Sequence, residues 1–482
     1  MYKTFIGLEI HAQVMSKTKA FCSCNTDIFN KKPNTIICPV CTGQPGALPV
    51  LNKEVIKLAL KASLALNCNI NKKSTFDRKN YFYPDLPKGY QITQFYKPIG
   101  ENGYLIIDDP DGKEKRVRIK RLHIEEDAGK LIHIGSENIA KSKESYLDLN
   151  RCGIPLIEIV TEPDLNSPDE AKIFMETIRD NLKVLGVSSG SMEKGALRCD
   201  ANITVLDVNN NYLSKRVEIK NINSFKFVKK ALIYERQRII QKLKKGKDVS
   251  FETRSWVTTE KITVPMRSKE NENDYRYFPE PDLPALIIND EEILKIKENL
   301  PELPRAKKIR LIQEYCITEY DAKILSSNKE IADFFEEVAL FTKKPKVSAN
   351  WFIEEVLTRI NEKKLKLTNS FLSKEFFRDM FNLIENKIIT SKSAKDVFSI
   401  SLKEKKSPNI VVKEKSLIQV DDVKLISRII SESMEKNKKA VNQYKKGKKN
   451  VIGYFIGIVM KETDGRADPN KVEKIAREML NK

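Results

Sequence analysis

The sequence lacks the features that assign a protein to a membrane or to a common nucleotide-binding fold. Its longest apolar stretch, residues 451–460, contains glycine and falls short of the roughly 18 residues that a membrane span requires. Residues 1–6 enter patterned sequence without the basic, apolar and small-residue regions of a signal peptide. No Walker A loop or strand-linked Gly-x-Gly-x-x-Gly motif occurs. We therefore expect a cytoplasmic protein with no membrane contact, no P-loop and no dinucleotide-binding fold.

Histidine is also scarce, since the 482 residues include only His11, His123 and His133. They form no arrangement with serine or cysteine that indicates a catalytic triad for amide hydrolysis. If this protein uses nitrogen in its chemistry, we expect another chain to release it.

Positive charge, in contrast, is in excess. The chain has 86 Lys and Arg against 66 Asp and Glu, a net charge of +20. Residues 401–482 hold 20 Lys and Arg against 11 Asp and Glu, and seven of these lysines lie close together: Lys436, Lys438, Lys439, Lys445, Lys446, Lys448 and Lys449. Such a segment is either a solvated face or a contact surface for nucleic-acid phosphates. The charge as a whole favours a polyanionic partner.

Four of the eight cysteines fall within 20 residues, where even spacing would predict about 0.3. They are arranged as Cys-x-Cys, thirteen residues, and Cys-Pro-x-Cys. Two close thiolate pairs on a loop that folds back suit tetrahedral Zn²⁺, and four protein ligands leave no open position for chemistry. The alternative is a set of free thiols. We predict a structural zinc site made of Cys22, Cys24, Cys38 and Cys41.

The apolar pattern changes along the chain. Up to about residue 290, strand-like runs such as 157–160 alternate with loops, and Ser167 to Glu170 carries the signals of a helix start. After Pro301 the spacing is helical, and a Lys-, Ser- and Pro-rich break lies near residues 403–412. We predict an α+β domain over residues 1–294, an all-α helical domain over 295–405 and a small all-α tail domain over 406–482.

Acidic side chains interrupt several of the strand-like runs. Glu9 and His11 alternate with apolar residues, so both point to one face of a strand while the residues between them face a core. Similar runs contain Glu125, Glu158 and Glu218. A single strand acid is usually solvated, but acids that converge repel one another unless a hard cation such as Mg²⁺ lies among them. The pattern predicts a nucleotide site built without a P-loop.

Cations, aromatic residues and prolines concentrate in residues 76–91. The segment is too irregular for a core strand and predicts a rigid binding loop, with Arg78 and Lys79 on phosphate and aromatic residues such as Tyr81 stacked on bases. A plain proline-rich surface loop is the alternative. Arg276 lies in a similar segment, 275–284, and has the same two interpretations.

Taken together, these residues resemble the GatB family, whose members are the B subunits of the glutamyl/aspartyl-tRNA amidotransferase. The resemblance covers essentially the whole chain and rests on long blocks in a fixed order. Lys194 and Ala196 depart from the family, which tends to have an acid and a serine there, so we give Lys194 no catalytic role. The matching blocks are residues 7–11, the four cysteines, 78–91, 123–130, 148–151, 158–164, 197–202, 218–225, 275–284 and 440–480.

The resemblance implies a ligase used in protein biosynthesis. A non-discriminating synthetase charges tRNA(Gln) with Glu or tRNA(Asn) with Asp, and the amidotransferase converts the side-chain carboxylate to an amide. ATP phosphorylates the carboxylate, and ammonia then displaces the phosphate. The implied partners are an amidase (A) subunit that releases ammonia from glutamine, a small bracing (C) subunit in a heterotrimer, and the misacylated tRNA. The synthetase is a further candidate partner.

The resemblance also implies a cradle-like α+β catalytic domain, a helical domain and a tRNA-binding tail, with ATP as co-substrate. As catalytic residues and Mg²⁺ ligands we expect Glu9, His11, Glu125 and Glu218, with Glu158 and Asp200 as weaker candidates. The residues expected to bind ATP or the tRNA end are Arg78, Lys79, Tyr81, Arg151, Lys220 and Arg276. The expected tRNA contacts of the tail are Lys445, Lys446, Lys448 and Lys449.

Two alternatives fit part of this pattern. A zinc-stabilised RNA-binding protein without catalysis would explain the charge and the cysteines, but it would gain nothing from acids that face its ligand. The archaeal relative that amidates only Glu-tRNA(Gln) carries an inserted domain, for which we find no room in this sequence.

Overall fold

The computed structural model describes residues 1–134, 143–266, 275–362, 367, 371–420 and 422–481. The chain forms two compact units, Met1–Pro304 and Arg305–Lys482. Among the described helices, none is long and apolar enough to cross a membrane.

The first unit combines strands with a few helices. Its helices are α1 (Lys53–Ala65), α2 (Pro168–Val184), α3 (Phe225–Lys244) and α4 (Asp290–Glu298), and Leu149–Arg151 forms a 3₁₀ turn. Its strands are β1 (Tyr2–Gln13), β2 (Asn69–Ile70), β3 (Lys73–Ser74), β4 (Asp77–Asn80), β5 (Tyr90–Thr93), β6 (Gly100–Asp108), β7 (Glu114–Glu126), β8 (Lys130–Ile134), β9 (Glu144–Asp148), β10 (Pro155–Thr161), β11 (Leu197–Asp207), β12 (Tyr212–Leu213), β13 (Val217–Ile222), β14 (Glu252–Val257), β15 (Ile262–Pro265), β16 (Phe278–Pro279) and β17 (Leu286–Ile287).

The main sheet of this unit has the strand order β15-β14-β13-β11-β1-β10-β7-β6-β2, with β12 paired to β11. β13 and β14 are parallel, and the neighbouring pairs are antiparallel. The central strand β1 shows the predicted alternation, because Leu8 and Ile10 are buried in the core while Glu9 and His11 are only partly buried. Successive side chains of a strand point to opposite faces, so one face of this sheet is apolar and the other polar.

Helices cover the apolar face. Phe174 and Ile178 of α2 and Leu232 of α3 belong to the same buried cluster as the apolar residues of β1. The predicted helix start is confirmed, since the Ser167 hydroxyl accepts a hydrogen bond from the backbone N–H of Glu170 at 3.1 Å. Covering one face in this way leaves the polar face for the functional site.

The prediction of an irregular loop over residues 76–91 is wrong at both ends. Residues 77–80 form β4 and residues 90–93 form β5, and both pair within a three-stranded sheet in the order β16-β4-β5. The strand was not recognised in the sequence because it begins with an acid, Asp77, that is buried in the fold. The Asp77 carboxylate accepts hydrogen bonds from the backbone N–H groups of Phe95 and Tyr96 at 2.7 and 3.1 Å. Arg78 and Lys79 therefore lie on a strand rather than on a loop.

The second unit is helical in its described residues, which confirms the helical spacing predicted after Pro301. Phe352–Val356 forms a π-helical turn and Lys449–Val451 a 3₁₀ turn. The helices are α5 (Pro304–Tyr315), α6 (Glu319–Ser326), α7 (Lys329–Thr342), α8 (Pro345–Trp351), α9 (Leu357–Asn361), α10 (Lys374–Glu385), α11 (Ser391–Glu404), α12 (Pro408–Glu414), α13 (Val423–Lys436), α14 (Lys438–Lys445), α15 (Ile452–Glu462) and α16 (Pro469–Asn481).

The predicted domain boundaries differ in how they relate to these elements. Residue 294 falls inside α4, whose Ile296 is buried in the core of the first unit. The division of the helical region into two all-α domains near residue 405 stays a prediction. This region does contain two separate buried clusters, one within residues 311–412 and one within 426–480.

Candidate active site

Two histidines and two glutamates meet on the polar face of the main sheet. The register places His11 of β1 opposite Glu158 of β10, and Glu158 opposite His123 of β7. Nε2 of His11 lies 3.4 Å from Oε1 of Glu125 and 3.5 Å from Oε2 of Glu158. Nε2 of His123 lies 3.2 Å from the same Glu158 oxygen. Glu158 is thus held between two imidazoles.

Burial and charge act in opposite directions on these groups. Burial disfavours the charged imidazole of His11, but Glu158 and Glu125 outweigh it and raise the pKa of His11 to about 9. Burial likewise disfavours the Glu158 carboxylate, yet His123 and His11 hold its pKa well below its usual value. The protons of this group are therefore bound to the imidazoles. A metal ion that bound the imidazole nitrogens would displace these protons.

A second group of acids lies beside the first, on β1, β11 and β13. Carboxylate oxygens of Glu9, Asp200 and Glu218 lie within 4.8 Å of one another. Asn202 donates a hydrogen bond to Glu9 at 2.9 Å, and the Lys220 ammonium lies 3.1 Å from Asp200 and 3.4 Å from Glu218. Burial and neighbouring carboxylates raise the pKa of Glu9. One lysine among three acids leaves negative charge that a hard cation could neutralise.

The residues predicted to bind Mg²⁺ therefore fall into two groups rather than one. His11 and Glu125 belong with Glu158, whereas Glu9 and Glu218 belong with Asp200. The two residues ranked as weaker candidates, Glu158 and Asp200, complete the two groups. Carboxylate and imidazole donors at these distances fit a divalent cation, and the assignment of ligands stays a prediction.

A cavity of about 750 Å³ lies over this face. Its volume is in the range of small-molecule and nucleotide sites. Acids, cations and aromatic rings share its wall: Glu9, Lys79, Phe95, Lys120, Arg121, His123, Glu125, Glu158, Arg216, Glu218, Lys220, Phe251, Tyr275 and Tyr277. A second cavity of about 320 Å³ shares Lys79 and Glu125 and adds His11, Tyr81, Asp127, Arg151, Arg198 and Asp200.

Several predicted anion-binding residues line these cavities. The Lys79 ammonium lies 4.8 Å from the centroid of the Tyr275 ring and lines both. Lys220 lines the larger cavity, and Tyr81 and Arg151 line the smaller one. Their contacts with ATP or tRNA stay predictions.

Arg78 and Arg276 are placed differently. Arg78 forms a bidentate pair with Glu280, at 2.8 and 2.9 Å, and a further bond to Asp282 at 3.0 Å. A phosphate contact by Arg78 would require this pair to open. Arg276 is exposed, has a positive φ of 44°, and its carbonyl accepts a hydrogen bond from Asn80 at 2.8 Å.

The sequence interpretation missed other residues of the site. His123 begins the acidic run of residues 123–127, and its spacing of two from Glu125 could have placed it on the same face. Asp127 belongs to the same acidic run. Arg121, Arg198 and Asn202 gave no comparable signal, because their role depends on which strands become neighbours.

The four clustered cysteines converge in the loops after β1. Their sulfur atoms lie within 4.8 Å of one another. A hydrogen bond from Cys22, helped by the backbone N–H of Cys38 and the nearby ammonium of Lys19, lowers the pKa of Cys41 to about 4 despite burial. A thiolate among four close sulfurs suits a tetrahedral soft-metal site.

The predicted tail lysines lie at the end of α14 and just after it. Lys445, Lys446, Lys448 and Lys449 are all exposed. The Lys449 ammonium lies 4.1 Å from the ring centroid of the buried Tyr444. These lysines thus form a basic surface next to a packed helix, and tRNA contact by this surface stays a prediction.

Comparison with known proteins finds relatives along the full length of this chain. Residues 4–294 match the GatB/GatE catalytic domain, and residues 333–480 match the GatB domain. The chain is 54% identical over 479 residues to the B subunit of the aspartyl/glutamyl-tRNA(Asn/Gln) amidotransferase of Thermotoga maritima, a match that covers 99% of each chain. The corresponding protein of Carboxydothermus hydrogenoformans is 45% identical over 481 residues, 100% of this chain and 99% of that one. With matches that run from end to end, this chain belongs to the GatB family of tRNA-dependent amidotransferase subunits.

Proposed function

We propose that the cavity over the polar sheet face is where this chain converts the side-chain carboxylate of Glu on tRNA(Gln), of Asp on tRNA(Asn), or of both, into an amide. Membership of the family makes the chain a subunit of an amidotransferase that serves translation. The observation that carries the proposal is the convergence of two acidic groups with Lys79 and Lys220 in one cavity. The non-catalytic RNA-binding alternative is not favoured, because acids facing an RNA would weaken its binding.

The reaction needs activation because a carboxylate is a poor electrophile. An oxygen of the substrate carboxylate attacks the γ-phosphorus of ATP, which releases ADP and leaves an acyl phosphate. Ammonia then attacks the acyl carbon, and inorganic phosphate leaves with the electron pair of the C–O bond. Phosphoryl transfer of this kind depends on positioning and charge neutralisation more than on a protein nucleophile.

The residues of the cavity divide these tasks. Lys79 and Lys220 hold phosphate oxygens, and Lys79, which lines both cavities, orients an anion between them. The His11–Glu125–Glu158 and Glu9–Asp200–Glu218 groups would hold Mg²⁺, which neutralises phosphate charge when it is bound. Because burial strengthens the repulsion among these acids, the cavity favours ligands that bring cations with them.

The chain would act in the cytoplasm with other subunits. The curated relatives are designated B subunits, which supports a multi-subunit enzyme. We propose an amidase (A) subunit that supplies ammonia, a small bracing (C) subunit that completes the heterotrimer, and misacylated tRNA as the substrate bound by the tail. The non-discriminating synthetase is a further partner in this proposal.

The four-cysteine cluster would hold a structural zinc ion. Four sulfur ligands leave no coordination position for substrate, so zinc would stabilise the loops that follow β1. Its contribution to the site would be indirect, because β1 also carries Glu9 and His11.

We predict about one zinc per chain, and Cys38→Ser should lose it and destabilise the first unit by several kcal/mol. Metal analysis and thermal unfolding of the full chain test this. Cys316→Ser, which changes an exposed cysteine of the second unit, is the control and should keep both zinc and stability. Freshly purified wild-type protein without zinc would contradict the assignment.

Glu125→Gln should reduce ATP-dependent amidation on the order of 100-fold or more, because it removes one metal-facing charge with little change in volume. Glutamine hydrolysis by the amidase partner and tRNA binding should remain close to wild type. Glu114→Gln changes an exposed carboxylate of the same strand and is the control. Amidation at the wild-type rate by Glu125→Gln would show that this carboxylate is not needed.

The tail lysines predict that tRNA affinity depends on the salt concentration. Each phosphate contact releases counterions, so tRNA affinity should fall by roughly 0.7 to 0.9 log units per log unit of salt for every contact. Lys445→Gln/Lys448→Gln should flatten this slope and raise the Michaelis constant for aminoacyl-tRNA. Lys424→Gln/Lys474→Gln removes the same charge from exposed positions of the same unit and should change the slope less. Identical slopes for wild type and both double variants would show that the lysine run is only a solvated face.

A further inference from the structure

Strand β7 contains a bulge at the wall of the larger cavity. Arg121 pairs with Val160 of β10, whereas the next pair joins Ile119 to Thr161, so Lys120 is the extra residue. In a regular strand, neighbours point to opposite faces, and a bulge redirects one of them. Here Lys120 and Arg121 both line the cavity. The bulge thus sets two consecutive cations on the same wall.

Arg121 also has an unsatisfied hydrogen-bond donor. Its Nε is buried and has no hydrogen-bond partner among the described residues. Arg78 and Arg118 differ in this respect, because they pair with Glu280 and Asp164, respectively. A buried charged donor without an acceptor is costly, so its presence on a cavity wall points to a ligand that brings oxygen atoms.

The surroundings indicate which oxygen ligand fits. The guanidinium of Arg121 lies 5.6 Å from the ring centroid of Phe95, which stacks on Tyr277 at 3.9 Å. Two adjacent cations match the charge of a terminal phosphate, close to −2, or of two neighbouring phosphates better than that of a single carboxylate. The stacked aromatic pair beside them offers a surface for a base or a ribose.

The position also suits the chemistry of the cavity. Arg121 precedes His123 by two residues on the same strand, about 7 Å at 3.3 Å per residue. An anion held there would lie beside the His11–Glu125–Glu158 group rather than among its carboxylates. It could therefore be bound without adding to the repulsion inside that group.

We propose that the bulge formed by Lys120 and Arg121 is a phosphate-binding site for a nucleotide. Arg121 offers its planar fork to two phosphate oxygens and Lys120 adds a point charge. The phosphate belongs to ATP or to the 3′-terminal nucleotide of the tRNA, and only this choice of ligands rests on the proposed function.

The test uses the full-length chain and direct binding. Calorimetric titration with inorganic pyrophosphate, ATP and tRNA would compare wild type with Arg121→Met and Lys120→Met. The control is Arg116→Met, an exposed arginine of the same strand whose guanidinium lies 3.9 Å from the Tyr104 ring centroid. Arg121→Met should weaken pyrophosphate binding by about 10-fold or more, Lys120→Met should weaken it less, and Arg116→Met should not change it.

The three probes separate the two sources of phosphate. Weaker ATP binding with unchanged tRNA binding identifies the nucleotide co-substrate, and the reverse identifies the tRNA end; either supports the site. If Arg121→Met unfolds, Arg121→Lys, which keeps the charge but loses the fork, and Lys120→Met carry the test. Wild-type affinity of these variants for all three probes, or no binding of any probe by wild type, would overturn the proposal.

The binding test measures no amidation. An assembled enzyme that failed to amidate tRNA-bound Glu or Asp would therefore contradict the proposed function without changing the binding result.

Discussion

Carboxylates crowded on one face of a sheet repel one another, and the arrangement of this site follows from how that repulsion is balanced. Two imidazoles hold Glu158 as a carboxylate, and Lys220 bridges Asp200 and Glu218. Burial and the neighbouring carboxylates still raise the pKa of Glu9, so the repulsion is not fully compensated. The negative charge that remains favours ligands that carry cations, together with the phosphates that such cations bind.

The backbone produces this face by the simplest property of a strand. Alternation along β1 sends Leu8 and Ile10 into the core under α2 and α3 and leaves Glu9 and His11 on the other side. The same alternation in the neighbouring strands builds the rest of the polar face. The bulge in β7 is the point at which the alternation is broken, and there the wall gains cations in place of acids.

The sequence predicted what local pattern determines. The direction of Glu9 and His11, the helix start at Ser167 and the convergence of the four cysteines all depend on residues near one another in the chain. The division of the acids into two groups depends on the pairing of β1 with β10 and β11, which no local pattern contains. Arg78 shows the same limit, since its partner Glu280 lies 202 residues away.

If this cavity activates a substrate carboxylate by phosphorylation, one oxygen atom of that carboxylate must leave with the phosphate. The most direct test labels both oxygens of the side-chain carboxylate on the misacylated tRNA with the heavy oxygen isotope. The assembled enzyme then turns over with ATP and glutamine, and the released phosphate is weighed by mass spectrometry. Activation by phosphorylation predicts one heavy oxygen in each phosphate, carried over when ammonia displaces the acyl phosphate. Phosphate without the label would contradict it.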